Sequence, residues 1–199
     1  MNQLDEQLAM HRQWVASAGR SGQRVDLSMA DLNGSDLEGA VLVEAELSGA
    51  TFDGASLAGA DLAGAWLAGA RLNKADLSGA NMTKANLQEC SAQGARFNSS
   101  RLFRTVLYRS DLRGADFTGS DMTKARLGSC DLTGAILRDC LLDRVAFDDA
   151  RLVDVDLAGA RLIRPLLAER AIVGTKGAEE ERVGSRLQVW FDQAARLET

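Results

Sequence analysis

Proline is nearly missing: Pro165 stands alone in 199 residues. Aromatics are scarce too, with three Trp, one Tyr and six Phe, which excludes a core built around large rings. A chain of irregular loops uses more proline, so the connections here must be short and alike. One histidine, His11, and three cysteines, Cys90, Cys130 and Cys140, leave little material for a metal or redox centre, and no CxxC pair occurs. HExxH, a phosphate-binding glycine loop and a paired nucleophile and base are also lacking. The chain therefore reads as a non-enzyme with no cofactor. No run is apolar enough to cross a membrane, and MNQLDEQLAM lacks the apolar segment of a signal peptide, so the expected location is the cytoplasm. The net charge of -5 does not announce direct nucleic-acid binding, which favours a basic chain.

Alanine, leucine and glycine are abundant instead, and they keep a strict rhythm. In ATFDGASLAGADLAGAWLAGARLNKADLSGA, from Ala50 to Ala80, an alanine falls at every fifth place and a large apolar residue two places later. These large residues, the centres, recur from Leu27 to Leu167 in 29 units without an insertion. Ala92 is the one small centre, and the bulky Phe97 beside it is expected to fill the space. The place two before each centre is small throughout until Pro165, and the three cysteines all occupy it, as buried substitutes for alanine.

Two inward residues spaced by two define a short extended segment, and two outward residues in succession require a bend. A chain that bends the same way every five residues must wind into a solenoid. The outward place two after the centre holds Lys84, Arg104, Lys124, Arg144 and Arg164, twenty residues apart, which supports four units per coil. Asp residues one before the centre point outward and read as solvated, with local backbone bonds at the corners.

The units ADLAG, ADLSG, ANLQE and ADFTG resemble the pentapeptide-repeat family, whose motif is A(D/N)LXX, over Val25 to Glu169. The resemblance implies an all-β solenoid, a right-handed quadrilateral parallel β-helix of about seven coils and roughly 34 Å long. The expected organisation is an N-terminal cap helix and entry over 1–24, the β-helix over 25–169, and a linker with a C-terminal helix over 170–199.

A solenoid has open ends that need covers. At the N-terminus Leu4, Leu8, His11, Trp14 and Val15 share a helical face, with Gly19 placed to stop the helix. This segment resembles the cap helix of free-standing family members and makes His11 a cap residue. At the other end AIVGTKGAEEERVG reads as a linker, and Leu187, Trp190, Phe191 and Leu197 follow at helical spacing. That helix caps its own rod or makes a homodimer contact; the resemblance to gyrase-protecting members, which dimerise through their C-terminal ends, implies the second.

Function must then lie on the outside or at the ends. Three features stand out. The basic ladder Lys84, Arg104, Lys124, Arg144 and Arg164, with Arg101 and Arg161 on its face, stacks like charges that need acids such as Asp121 and Asp143, or a partner, beside them. Trp66, Val106, Ala146 and Leu166, with Tyr108 nearby, form an apolar column. Ten acids face three bases from Val25 to Glu89, against eleven acids and twelve bases from Cys90 to Glu169. A non-enzymatic scaffold for an unidentified protein partner follows. The alternative, implied by the resemblance, is a DNA mimic that binds DNA gyrase and protects it from quinolones; the acidic first half favours it and the stacked cations oppose it.

Overall fold

In the computed structural model, residues 3–163, 170–175, 178–183, 190 and 192–193 are described. Parallel bridges join each residue before a centre to the residue twenty further on, from Asp26↔Glu46 to Leu141↔Arg161. Twenty residues, or four units, therefore make one coil, as the ladder spacing predicts.

The five-residue period is dictated by backbone hydrogen bonding, because a buried N–H without an acceptor is costly. In the unit Ala75–Gly79 every N–H is used. Asp76 donates to the Ala55 carbonyl (2.9 Å), Leu77 to Arg96 (2.7 Å) and Gly79 to Asn98 (2.8 Å), all between coils. Ala75 closes the preceding turn onto Leu72 (3.0 Å). The one N–H left over, that of Ser78, donates to the Asp76 carboxylate at 3.0 Å. The Asp or Asn of the motif is thus the acceptor for the only amide that the ladder omits. Asp26, Asp61, Asn81, Asn86, Asp116 and Asp131 do the same. Where Thr51, Arg71 and Ser91 hold that place, the amides of Asp53, Asn73 and Gln93 turn to the side chains of Asn33, Asp53 and Asn73 one coil earlier.

Each turn places its second residue at positive φ. All 27 units from Met29 to Gly159 share this, 14 through non-glycine residues and 13 through glycine, so the turn is set by the solenoid rather than by the residue in it. A side chain there costs about 1–2 kcal/mol relative to glycine.

Inside, the centres from Leu42 to Leu152 are fully buried, Ala92 among them. Phe97 and Phe117, one coil apart, stack with ring centroids 4.7 Å apart and planes 4° from parallel, so the rings repeat at the rise between strands. Polar residues at the small inward place are satisfied by the carbonyl of a centre: Thr105 donates to Met82, Ser110 to Leu87 and Ser120 to Phe97. The thiols of Cys130 and Cys140 follow the same rule, donating to Leu107 and Phe117.

The N-terminal cover is α1, Gln3–Ala16. Leu4 and Leu8 pack against the core, and His11 is fully buried with its Nδ1 accepting from Val25 N–H at 3.1 Å. The helix stops where the sequence predicts: Ala18 and Gly19 both take positive φ, and Gly19 N–H closes onto the Trp14 carbonyl at 2.8 Å.

At the far end the structure departs from the expected linker. Strand β1 (Ala150–Val153) pairs in parallel with β2 (Arg170–Thr175), which pairs antiparallel with β3 (Ala178–Val183). The register Ala150↔Ala171 is 21 residues, one more than every earlier coil. With that shift Ala171 and Val173 become a further small residue and centre, both buried in the same core. The solenoid pattern resumes, displaced by one. β3 then covers the open edge of β2 with a charged sequence, AEEERV, which suits the last strand of a sheet. Trp190 is partly buried against the core, on the side of the cap reading. Leu187, Phe191 and Leu197 lie outside the described residues.

Candidate functional site

The outward residues of the coil sort into walls and corners, and the sequence-predicted residues fall on both. Lys84, Arg104, Lys124 and Arg144 occupy one corner in successive coils, each at positive φ. Arg164 lies outside the described residues, as does Leu166. The wall that follows this corner runs through Glu46, Trp66, Asn86, Val106, Arg126 and Ala146, each bridged to the next.

This order corrects the apolar column. Trp66, Val106 and Ala146 are forty residues apart, so Asn86 and Arg126 stand between them in the alternate coils. What remains apolar is Trp66 itself, 50% exposed among smaller neighbours, while Val106 and Ala146 are half-buried. Tyr108 is half-buried on the far side of the same wall. Its ring packs over Gly128, where an added Cβ would lie 3.2 Å from it, and the Arg109 guanidinium sits 5.1 Å above the ring.

Several basic residues elsewhere on the rod are neutralised locally, while Lys74, Lys84, Arg101 and Arg161 have no carboxylate at ion-pair distance among the described residues. Arg71 pairs with Asp53, Arg96 with Asp76, and Arg138 with Asp156. Arg109 reaches Glu89 at 3.8 Å, and Arg113 reaches Asp111 at 2.6 Å. The Arg113 hydrogen bond holds the Asp111 carboxyl below its ordinary range, and Asp111 raises Arg113 in return. At the ladder corner this neutralisation fails. Among the described residues, no carboxylate lies within ion-pair distance of Arg104, Lys124, Arg126 or Arg144. Asp121, expected to interleave, instead accepts the Thr123 amide at 2.9 Å. On the ladder, two of the cations approach Phe103: Arg104 lies 5.2 Å and Lys124 5.6 Å from its ring centroid.

These four cations line an open surface depression of about 400 Å³, together with Ala125 and Ala146. Arg126, which lines it, was not singled out from the sequence, and neither was Phe103, which two of the ladder cations approach. The signal was present in the run Lys124-Ala125-Arg126. Ala125 faces inward, so the cations on either side of it flank one corner. Ladder spacing alone follows a single column and misses the neighbouring one.

The remaining reactive groups are core residues. Burial pushes the thiols of Cys90, Cys130 and Cys140 up to about 11, 12 and 12, which keeps them protonated and poor nucleophiles. Burial lowers the His11 imidazole below its ordinary value, in keeping with the neutral ring that accepts from Val25. No helix among the described residues is long and apolar enough to cross a membrane.

A family model for pentapeptide repeats matches in eight copies, over residues 23–59, 55–98, 80–119 and 100–139. The chain is a pentapeptide-repeat protein. Family membership implies the right-handed sense of the quadrilateral coil, and the n to n+20 bridges supply its four sides. Two solved structures of trypsin-treated variants of QnrB1, a plasmid-mediated fluoroquinolone resistance protein, resemble this pentapeptide-repeat protein in fold. One is 21% identical with a TM-score of 0.63, covering 70% of this chain and 69% of its own. The other is 21% identical with a TM-score of 0.61, covering 65% and 66%. HetL of Nostoc sp. strain PCC 7120, a pentapeptide-repeat protein involved in heterocyst differentiation regulation, is 23% identical with a TM-score of 0.44 over 81% of this chain and 94% of its own. No curated protein matches the chain by sequence.

Proposed function

We propose that this pentapeptide-repeat protein is a non-enzymatic scaffold that presents a rigid wall to a protein partner, with Trp66 as the anchor. The observation that carries the reading is the half-exposed indole on a wall whose backbone is locked coil to coil. Large aromatics that stand clear of small neighbours dominate binding energies at protein interfaces. The three buried, protonated thiols suit a reducing compartment, which supports the cytoplasm as its location. A photo-crosslinking residue at position 66, in cells that express the full chain, is expected to trap one protein in a discrete adduct. A crosslinker at Gly114, on another corner, should not trap it. Equal labelling at both positions, or none at 66, removes the reading.

A second reading is DNA mimicry toward gyrase. Its support is the likeness of the fold to QnrB1 and the acidic first coils, where Asp26, Asp31, Asp36, Glu38, Glu44 and Glu46 face outward. A supercoiling assay with purified gyrase, with and without a fluoroquinolone, tests it. Rescue of supercoiling from the drug supports mimicry, and unchanged gyrase activity across the titration removes it.

A further inference from the structure

We propose that the corner formed by Arg104, Lys124, Arg126 and Arg144 is a binding site for a compact polyphosphate group, a chain of two or three phosphoryl units. It is separate from the Trp66 docking reading, because its ligand is a small anion and its test requires no protein partner.

Three observations converge here. The cations have no carboxylate partner among the described residues, as is also true of Lys74, Lys84, Arg101 and Arg161, but Arg104, Lys124, Arg126 and Arg144 stand together around one hollow. They line a hollow of about 400 Å³, within the size range of small-ligand sites. Finally, Phe103 holds Arg104 and Lys124 near its ring, which restrains two flexible side chains before any ligand arrives.

The arrangement selects the kind of anion. A ladder in a single column would suit carboxylates strung along an extended peptide, one per coil. Arg126 stands off that column, on the next wall, so the cations flank an open depression from two sides instead of lining a single track. Three guanidinium forks, each able to engage two oxygens, match the dense oxygen shell of phosphoryl groups. Arg104 and Arg144 are two coil steps apart, about 10 Å, which a short phosphate chain spans.

Calorimetry on the full chain with inorganic phosphate, pyrophosphate, tripolyphosphate and ATP tests the proposal. One saturable site is expected, tighter from phosphate to tripolyphosphate and weaker as salt rises. Arg126→Gln and Lys124→Gln should each weaken tripolyphosphate at least about tenfold. Lys124→Gly, which relieves the strained turn, should weaken it equally while the fold is retained by circular dichroism. Arg113→Gln, on a different corner, should leave binding unchanged. ATP binding more tightly than tripolyphosphate would make the ligand a nucleotide; equal affinity would make the phosphate chain sufficient. Absence of saturable binding, or equal loss in Arg113→Gln, overturns the site. A polyglutamate peptide that binds more tightly than tripolyphosphate through the same residues also overturns it, and assigns the corner to an acidic protein segment.

Discussion

Asp116 accepts from both the amide (2.9 Å) and the hydroxyl (2.6 Å) of Thr118, and the value of such an acceptor can be measured at this one residue. Asp116→Ala leaves the Thr118 amide without its acceptor and is expected to cost about 1–2 kcal/mol in urea unfolding. Asp116→Asn keeps the acceptor, as Asn81 and Asn86 show in their own units, and should stay within about 0.5 kcal/mol. At Gly114, with φ +64 and open space around the missing Cβ, alanine adds only backbone strain. Gly114→Ala should therefore lose about 1–2 kcal/mol with no change in the slope of the unfolding curve. Ala92 is already fully buried, and Ala92→Leu should gain nothing or lose about 1–3 kcal/mol by overpacking; a gain above about 2 kcal/mol would show a cavity at that centre.

Among the elements, α1 carries a pH dependence of its own. Burial lowers the folded pKa of His11 below its unfolded value of about 6.5. Above that value both states hold a neutral ring and the cap is at full strength. As pH falls below it, the unfolded chain takes up a proton that the folded cap resists, so stability declines. Hydrogen exchange at Val25, whose amide His11 accepts, should accelerate between pH 7.5 and 5.5 beyond the change in intrinsic rate. His11→Gln should flatten that dependence. At the opposite end, deletion of residues 184–199 distinguishes cap from dimer contact. With Trp190 against the core of its own chain, the expected outcome is a lower melting temperature and an unchanged mass in light scattering. A halved mass would restore the dimer reading.

For the whole molecule, stability comes from coils that bury centres against one another, so position along the rod sets the cost of a defect. Leu102→Ala, at a fully buried central position, should cost about 2–5 kcal/mol, and Leu27→Ala, 7% exposed under the cap, less. Acid is expected to weaken the rod below about pH 4. Asp26 is lowered first by the Ser28 hydroxyl and Asp111 first by Arg113. For Asp76 and Asp116 burial acts upward, but hydrogen bonds outweigh it and the net shift is downward. Their stabilisation is complete above the unfolded carboxylate value and fades as pH falls through the depressed folded values. The coil itself was legible because one spacing carries it from Val25 to Leu162. The extra unit at Ala171 and Val173 was hidden by a slip of one residue, after which the period no longer registers. The cation hollow was half legible: spacing finds Lys84 to Arg144, but Arg126 belongs to another column and only the folded corner brings it alongside.

The constant twenty-residue pairing has a consequence for how such surfaces diversify. Loss of one whole unit between Trp66 and Arg104 would leave every inner position matched by a like residue. Everything downstream would turn by a quarter revolution, carrying the cation corner away from the tryptophan wall. Gains and losses in steps of five can thus reshuffle which outer features are neighbours while the inner alternation of alanine and leucine is preserved. Lineages of this architecture can try new combinations of surface by indel, as readily as by point substitution.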